Sequence, residues 1–270
     1  MIEPGIYPDM PHAEYHALEG YVSNSYLSRL DACPAAGKVK QEETDAMTFG
    51  RAFHCFVLDG MTVFSRDVAV LPPMNLRKND GKAEYAAFCD VHQGKAIITE
   101  ADLSTIVEMD KSVKAHPLAR NLIGTGTNEV SIFWEDSFSG LPCKARPDKD
   151  AGQSTLVDLK KTRDASLRGF QRSILSFGYH RQAAFYLDGM TAVTGEDHNI
   201  FAFIAVEDKP PYRTEVYTLS QEFIEFGRVD YRRLITLENS CRARNEWPNY
   251  TNPGAIEIEL PGYINHGREF

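Results

Sequence analysis

The chain has 270 residues, 43% hydrophobic and 25% charged, with a formal net charge of −9. That length suits one large domain with a substantial core. No apolar run approaches the roughly 18–20 residues of a membrane helix, and the opening M-I-E-P-G-I-Y-P lacks the pattern of a secretory signal, so no membrane partner and a cytoplasmic location are expected. Cys33, Cys55, Cys89, Cys143 and Cys241 are scattered with no C-x-x-C pair. This argues against zinc or an iron–sulfur cluster and suits a reducing compartment.

The acidic total argues against a generic nucleic-acid coat protein. Residues 144–181, however, hold nine basic and four acidic side chains. One basic segment in an acidic body fits a polyanion substrate, although chance clustering on a solvated face gives the same pattern.

In chain order, Ser23 or Asn24 caps a short helix over 26–30 that ends near Cys33-Pro34. Residues 45–60 form an amphipathic helix, with Phe49, Ala52, Phe53, Phe56 and Val57 at helical spacing. His54 lies one position from that stripe and, taken alone, reads as a satisfied core histidine. Pro72-Pro73 and Asn79-Asp80-Gly81 interrupt the pattern, the second as a mobile loop. Helices are expected over 84–93 and 100–114, with His116-Pro117 ending the second.

From Asn128 the character changes. E-V-S-I-F-W-E-D alternates as a half-buried strand does, and Ser139-Gly140 makes a turn. Residues 142–161 read as two strands joined by a tight turn at Ala151-Gly152-Gln153-Ser154. Residues 165–190 read as one long helix capped by Asp164 or Ser166. Residues 199–206 are a buried central strand, and 213–219 another strand. Ser220 caps a last helix running to about 243, and the tail over 246–270 is extended. The fold class is therefore α/β: a mixed sheet flanked by helices. One domain spans 1–270, with a mainly helical part over 1–126 and a core over 127–245.

The hairpin carries the chemistry. Centred near Gln153, it sets Asp148 opposite Asp158 on one face, and Lys160 shares that face two residues on. Two opposed carboxylates suit a divalent cation such as magnesium or manganese, and a neighbouring lysine can hold or activate a water. A surface hairpin with alternating charges fits the same residues. Downstream, Gln182 and Tyr186 are four apart on one helix face, with Arg168, Arg172 and Tyr179 near the same ridge. A core Tyr186 and a solvated Gln182 explain that spacing equally well.

The ordered set is more specific than any one motif: Gly50-x-x-x-His54, Glu129 on a strand, Arg146-x-Asp148, Asp158-x-Lys160 and Gln182-x-x-x-Tyr186. It resembles the PD-(D/E)XK nuclease signature in its RecB-like branch, with Asp158 at a position often held by Glu. With Tyr15-His16, Ser23-Asn24-Ser25, the Phe49–His54 helix, His116-Pro117 and the run Gly178 to Gln182, it is most similar to RecE-type exodeoxyribonuclease VIII nuclease domains, over roughly residues 6–243.

The resemblance implies a restriction-endonuclease-like fold. It implies metal ligation by His54, Asp148, Asp158 and the Leu159 carbonyl, with Lys160 as the catalytic lysine. Glu129 matches an acidic position of the site, though it could simply bond Arg146 or Lys160. Gln182 and Tyr186 would support the site and contact DNA, with Arg146, Arg168, Arg172 and Tyr179 as further DNA contacts. It also implies a magnesium-dependent exonuclease, active with manganese as well, that digests linear double-stranded DNA 5′→3′ and processively. A homo-oligomeric ring and a single-strand annealing recombinase as partner in recombination belong to the same expectation. The alternatives are a structure-specific or restriction-type endonuclease and a non-catalytic DNA-binding module.

Overall fold

A computed structural model describes residues 1–249 and 254–259. The N-terminal part runs β1 (Gly5–Tyr7), α1 (His12–Ala17), α2 (Asn24–Ala32), α3 (Pro34–Gly37) and α4 (Asp45–His54). Helix α4 passes directly into a π-helical turn, Cys55–Asp59. There follow α5 (Gly60–Asp67), β2 (Val68–Leu71), α6 (Asn79–Val91), β3 (Ala96–Thr99), α7 (Glu100–Ala115) and α8 (Pro117–Gly124). The core continues with β4 (Thr127–Asn128), β5 (Ser131–Glu135), β6 (Pro142–Ala145), β7 (Lys149–Gly152) and β8 (Thr155–Thr162). It closes with α9 (Leu167–Ser176), α10 (Tyr179–Thr194), β9 (Ile200–Glu207), β10 (Thr214–Thr218) and α11 (Gln221–Arg244).

The central sheet has the order β10-β9-β8-β7-β4 and a second sheet the order β1-β5-β6, while β2 and β3 pair separately. Strands β8 and β9 are parallel, joined across the sheet by α9 and α10, whereas β7–β8 and β9–β10 are antiparallel. Alternation along the central strands divides the core. Leu156, Phe201, Phe203 and Ala205 pack toward α10 and α11 with Phe170, Phe185 and Leu234. Val157, Leu159, Ala202 and Ile204 pack the other way, against Phe53, Ile98, Ile106 and Met109. Each fully buried Val, Leu, Ile, Phe or Met among them contributes about 1.5–3 kcal/mol.

Five local expectations are corrected. The stretch over 142–161 is three strands, because Pro147 lacks an N–H to continue a ladder; β6 joins β5, and β7 joins the central sheet. The helix over 165–190 is two helices, divided at Gly178, whose φ of 67° only glycine adopts without strain. Strand β5 is buried on both faces. Ile132 and Trp134 pack under α10, and Phe133 meets Tyr15 and Tyr21. Asn79-Asp80-Gly81 is the first turn of α6 rather than a loop. Glu129 lies between β4 and β5, at a φ of 46°, not on a strand.

Other expectations hold. Ser23, Ser166 and Ser220 each accept a backbone N–H at the start of α2, α9 and α11. Most of the extended tail expected over 246–270 lies outside the described residues. None of the described helices is long and apolar enough to cross a membrane.

Candidate active site

The hairpin register follows from its turn. Gln153 and Ser154 both take positive φ, 50° and 60°, which is the geometry of a two-residue hairpin turn with the twist of its flanking strands. A bulge at Ala151 absorbs the extra residue, and Lys149 pairs with Val157. Carried one step past that pair, the register directs Asp148, just before β7, toward Asp158. Continued once more, the register would set Leu159 against Pro147. Leu159 N–H instead donates to Asp148 Oδ2 at 2.7 Å. The carboxylate thus takes the bond that the broken ladder leaves over.

Three elements meet at this pair. From α4, His54 Nδ1 lies 3.3 Å from Asp148 Oδ1, and the change to π-helical winding begins at the next residue. From α10, the buried Gln182 donates Nε2–H to Asp158 Oδ1 at 2.6 Å. From β8, Lys160 Nζ lies 2.7 Å from Asp158 Oδ2 and 4.6 Å from the centre of the Tyr179 ring. Tyr186, half-buried one turn past Gln182, shares its face of α10, and the Gln182 amide acts on the Tyr186 hydroxyl against the effect of burial. His54, Asp148, Asp158, Lys160, Tyr179, Gln182 and Tyr186 are therefore one cluster, and Leu159 runs through it.

The remaining candidates stand apart. The Glu129 Oε2 carboxylate oxygen accepts from Arg146 Nε and Nη2 at 3.1 and 2.9 Å. Arg146 Nη1 donates to Ser131 Oγ and to the Met10 carbonyl. Of the two partners open to Glu129 from sequence, the structure selects Arg146. Arg168 is exposed on α9, and Arg172, also exposed there, is 3.8 Å from Asp164.

A family described as a PDDEXK-like domain of unknown function, DUF3799, matches residues 23–259. The chain belongs to this family. No curated protein matches it. Among solved structures, a protein from Eubacterium rectale provisionally described as an exonuclease is 12% identical, at a TM-score of 0.56 over 96% of this chain and 99% of that one. An alkaline exonuclease from Laribacter hongkongensis is 19% identical over 62% of this chain and 86% of its own, with a TM-score of 0.25. The first of these likenesses agrees with the fold; the second carries no weight.

The electrostatics of the cluster centre on Asp158. Burial pushes its carboxyl up, Lys160 opposes, Asp148 adds to the rise, and the result is about 6. Burial would also raise Asp148, but His54, Lys160 and the Leu159 N–H hold it below its ordinary value. Burial would lower His54, yet Asp148 and then Asp158 lift it to about 9. Two aspartates, one imidazolium and one ammonium thus balance.

Among the described residues no three His, Cys, Asp or Glu side chains form a ready-made metal cage. The donor set nonetheless fits a hard divalent cation: two carboxylates and an imidazole, with Asp158 Oδ2 buried and lacking an aligned hydrogen bond although Lys160 stands beside it. The lysine fills the electrostatic place that a cation would take.

Two clefts flank the cluster, and neither is lined by His54, Asp148, Asp158 or Lys160. One, about 610 Å³, is lined by His12, Arg51, Glu129 and Arg146. The other, about 530 Å³, opens beside Tyr179. Sequence reasoning did not single out His12 and met Arg51 only as part of the Phe49–His54 helix, because nothing in their spacing links them to Arg146 across more than 90 residues of chain.

Proposed function

We propose that this protein is a divalent-metal-dependent deoxyribonuclease that digests linear double-stranded DNA from its ends, as the RecE-type exonucleases its motifs resemble do. The observation that carries this reading is the convergence of His54, Asp148, Asp158 and Lys160, from α4, the β7 edge and β8, with Gln182 behind Asp158. His54, Asp148, Asp158 and the Leu159 carbonyl would hold magnesium or manganese, which when bound acidifies a water and neutralises phosphate charge.

The chain's own groups do the rest. Lys160, held between Asp158 and the Tyr179 ring, orients the attacking water and offsets the negative charge that develops on the phosphate. Gln182 fixes the carboxylate plane of Asp158, and Tyr186, one turn on along the same face of α10, supports Gln182. Arg168 and Arg172 would neutralise backbone phosphates, and Tyr179 would contact the strand beside Lys160. Hydrolysis at the P–O3′ bond leaves a 5′-phosphate. The reading includes 5′→3′ processive digestion, a homo-oligomeric ring around the duplex, and delivery of the exposed strand to an annealing recombinase.

Linear and closed circular duplexes incubated with magnesium test it. Linear DNA should be consumed and circular DNA spared, with EDTA stopping the reaction. Equal cutting of circular DNA would make the protein an endonuclease. Asp158→Ala and Lys160→Ala should each lose at least about 100-fold in rate; persistent cleavage in both would falsify the site. Separately labelled ends give the polarity, and a solution mass gives the assembly.

A further inference from the structure

The cleft beside Tyr179 holds a feature that the carboxylate cluster does not use. Phe177, in the bend between α9 and α10, is 64% exposed, a large apolar ring presented to solvent. Its centroid lies 5.6 Å from that of Tyr179 with the planes 32° apart, and Tyr179 in turn lies over Lys160 Nζ. Two rings therefore lead outward from the lysine at the reacting centre. Lys161, Arg163 and Arg172 line the same cleft. Lys161 is paired with Asp208 and Arg172 is 3.8 Å from Asp164, while Arg163 is exposed.

We propose that this cleft is a binding site for single-stranded DNA and that Phe177 stacks on an unpaired base next to the scissile phosphate. The proposal rests on the nuclease reading for the position of that phosphate. The chemistry is that of single-strand sites in general: cations along the backbone path and an exposed aromatic face for a base, which accepts any base because every base has a π-face. A B-form duplex keeps its bases stacked on one another, so its interior offers Phe177 no base face and a blunt end offers only the outer face of the terminal pair. An end whose terminal bases have separated offers it a face. The exposed ring thus favours a frayed or tailed end over an interior position.

The test uses the full chain in calcium and no magnesium, so that binding is read without turnover. The probes are a short single-stranded oligodeoxynucleotide, the same oligonucleotide as a tail on a duplex, and a blunt duplex, followed by fluorescence anisotropy. Phe177→Ala should weaken the single strand and the tailed duplex roughly ten-fold or more and the blunt duplex little. Phe177→Trp should retain the affinity, and both variants should melt at the wild-type temperature. An abasic nucleotide scanned along the tail should weaken wild-type binding at one position and have no further effect in Phe177→Ala. Equal affinity of wild type and Phe177→Ala for the single strand overturns the site. Phe177-dependent binding by a protein that never cleaves DNA would support the strand site while removing the nuclease reading.

Discussion

Lys160 is the counter-charge that allows Asp158 to be ionised inside the protein, and removing it gives a loss of stability with a definite pH signature. Asp158 is 1% exposed, and its carboxyl stands at about 6 rather than 3.8. That difference corresponds to roughly 3 kcal/mol by which the ionised form disfavours the fold. Because the folded chain holds this proton more tightly than the unfolded one, the cost is full above about pH 6 and is relieved as the pH falls toward 3.8. Lys160→Met removes the attraction that now opposes the rise, so the carboxyl moves higher still. Protonation caps the penalty: near pH 7.5 the extra cost reaches at most about 2 kcal/mol. Below about pH 6 Asp158 is protonated in both proteins, and the difference vanishes. Urea titrations in EDTA at about pH 7.5 and about pH 5.5, followed by the fluorescence of Trp134 and Trp247, measure it. The variant should lose roughly 2 kcal/mol at the higher pH and close to nothing at the lower, and magnesium should restore the loss. A loss of equal size at both pH values would show that Lys160 acts through packing and that Asp158 is not the charge it serves.

Three further outcomes are expected. Gln182→Leu keeps the volume but leaves Asp158 Oδ1 without its donor, so turnover and metal affinity should each fall about 10–100-fold, read by steady-state cleavage and magnesium titration. His54 is raised to about 9 by Asp148 against the effect of burial, so its contribution is present below pH 6.5 and lost as the pH passes through about 9; metal-free melting temperatures should decline between about pH 7 and 9 in wild type and stay flatter in His54→Ala. At the crossing of α10 and α11, a Cβ on Gly227 would come within 2.1 Å of the His180 carbonyl oxygen, so Gly227→Ala should cost about 1–3 kcal/mol in urea titration with the magnesium dependence unchanged.

The part of the fold that sequence made legible was the part set by local chemistry. The hairpin turn follows from residues that tolerate positive φ, while the pairing of Lys149 with Val157 beside Asp148 and Asp158 needs the bulge at Ala151 as well, and the capping serines announce three helix starts through a single side-chain oxygen each. What was not legible depended on neighbours remote in sequence. Strand β5 alternates on paper, yet Tyr15 and Tyr21 cover the face its pattern assigned to water. Gly178 lies inside an unbroken amphipathic pattern, and its left-handed backbone is needed only because α10 must turn to bring Gln182 over β8. Glu129 had two cationic partners within reach of inference, and only the path of the chain between β4 and β5 chooses Arg146. At the site, residue types and order identified the cluster. In the clefts beside it, His12 on one side and Phe177 and Arg163 on the other belong to no motif, although motif residues such as Arg146 and Tyr179 line the same walls.

The charge balance of the cluster bears on how such a site would be switched on. His54, Asp148, Asp158 and Lys160 already neutralise one another, with His54 held protonated and Lys160 against Asp158. On the proposed reading, a divalent cation entering this set adds two positive charges to a neutral, largely buried group. The excess is relieved by loss of the His54 proton, by withdrawal of Lys160 from Asp158, and by arrival of a phosphate. The first two act on the protein alone and set a modest metal affinity. The third comes with a bound substrate phosphate, and it leaves the ammonium free to face that phosphate. Because coupling between two ligands is reciprocal, DNA tightens the metal by the same factor as the metal tightens DNA. On that reading, a site neutral by itself is biased to assemble its full complement only when a substrate phosphate is seated.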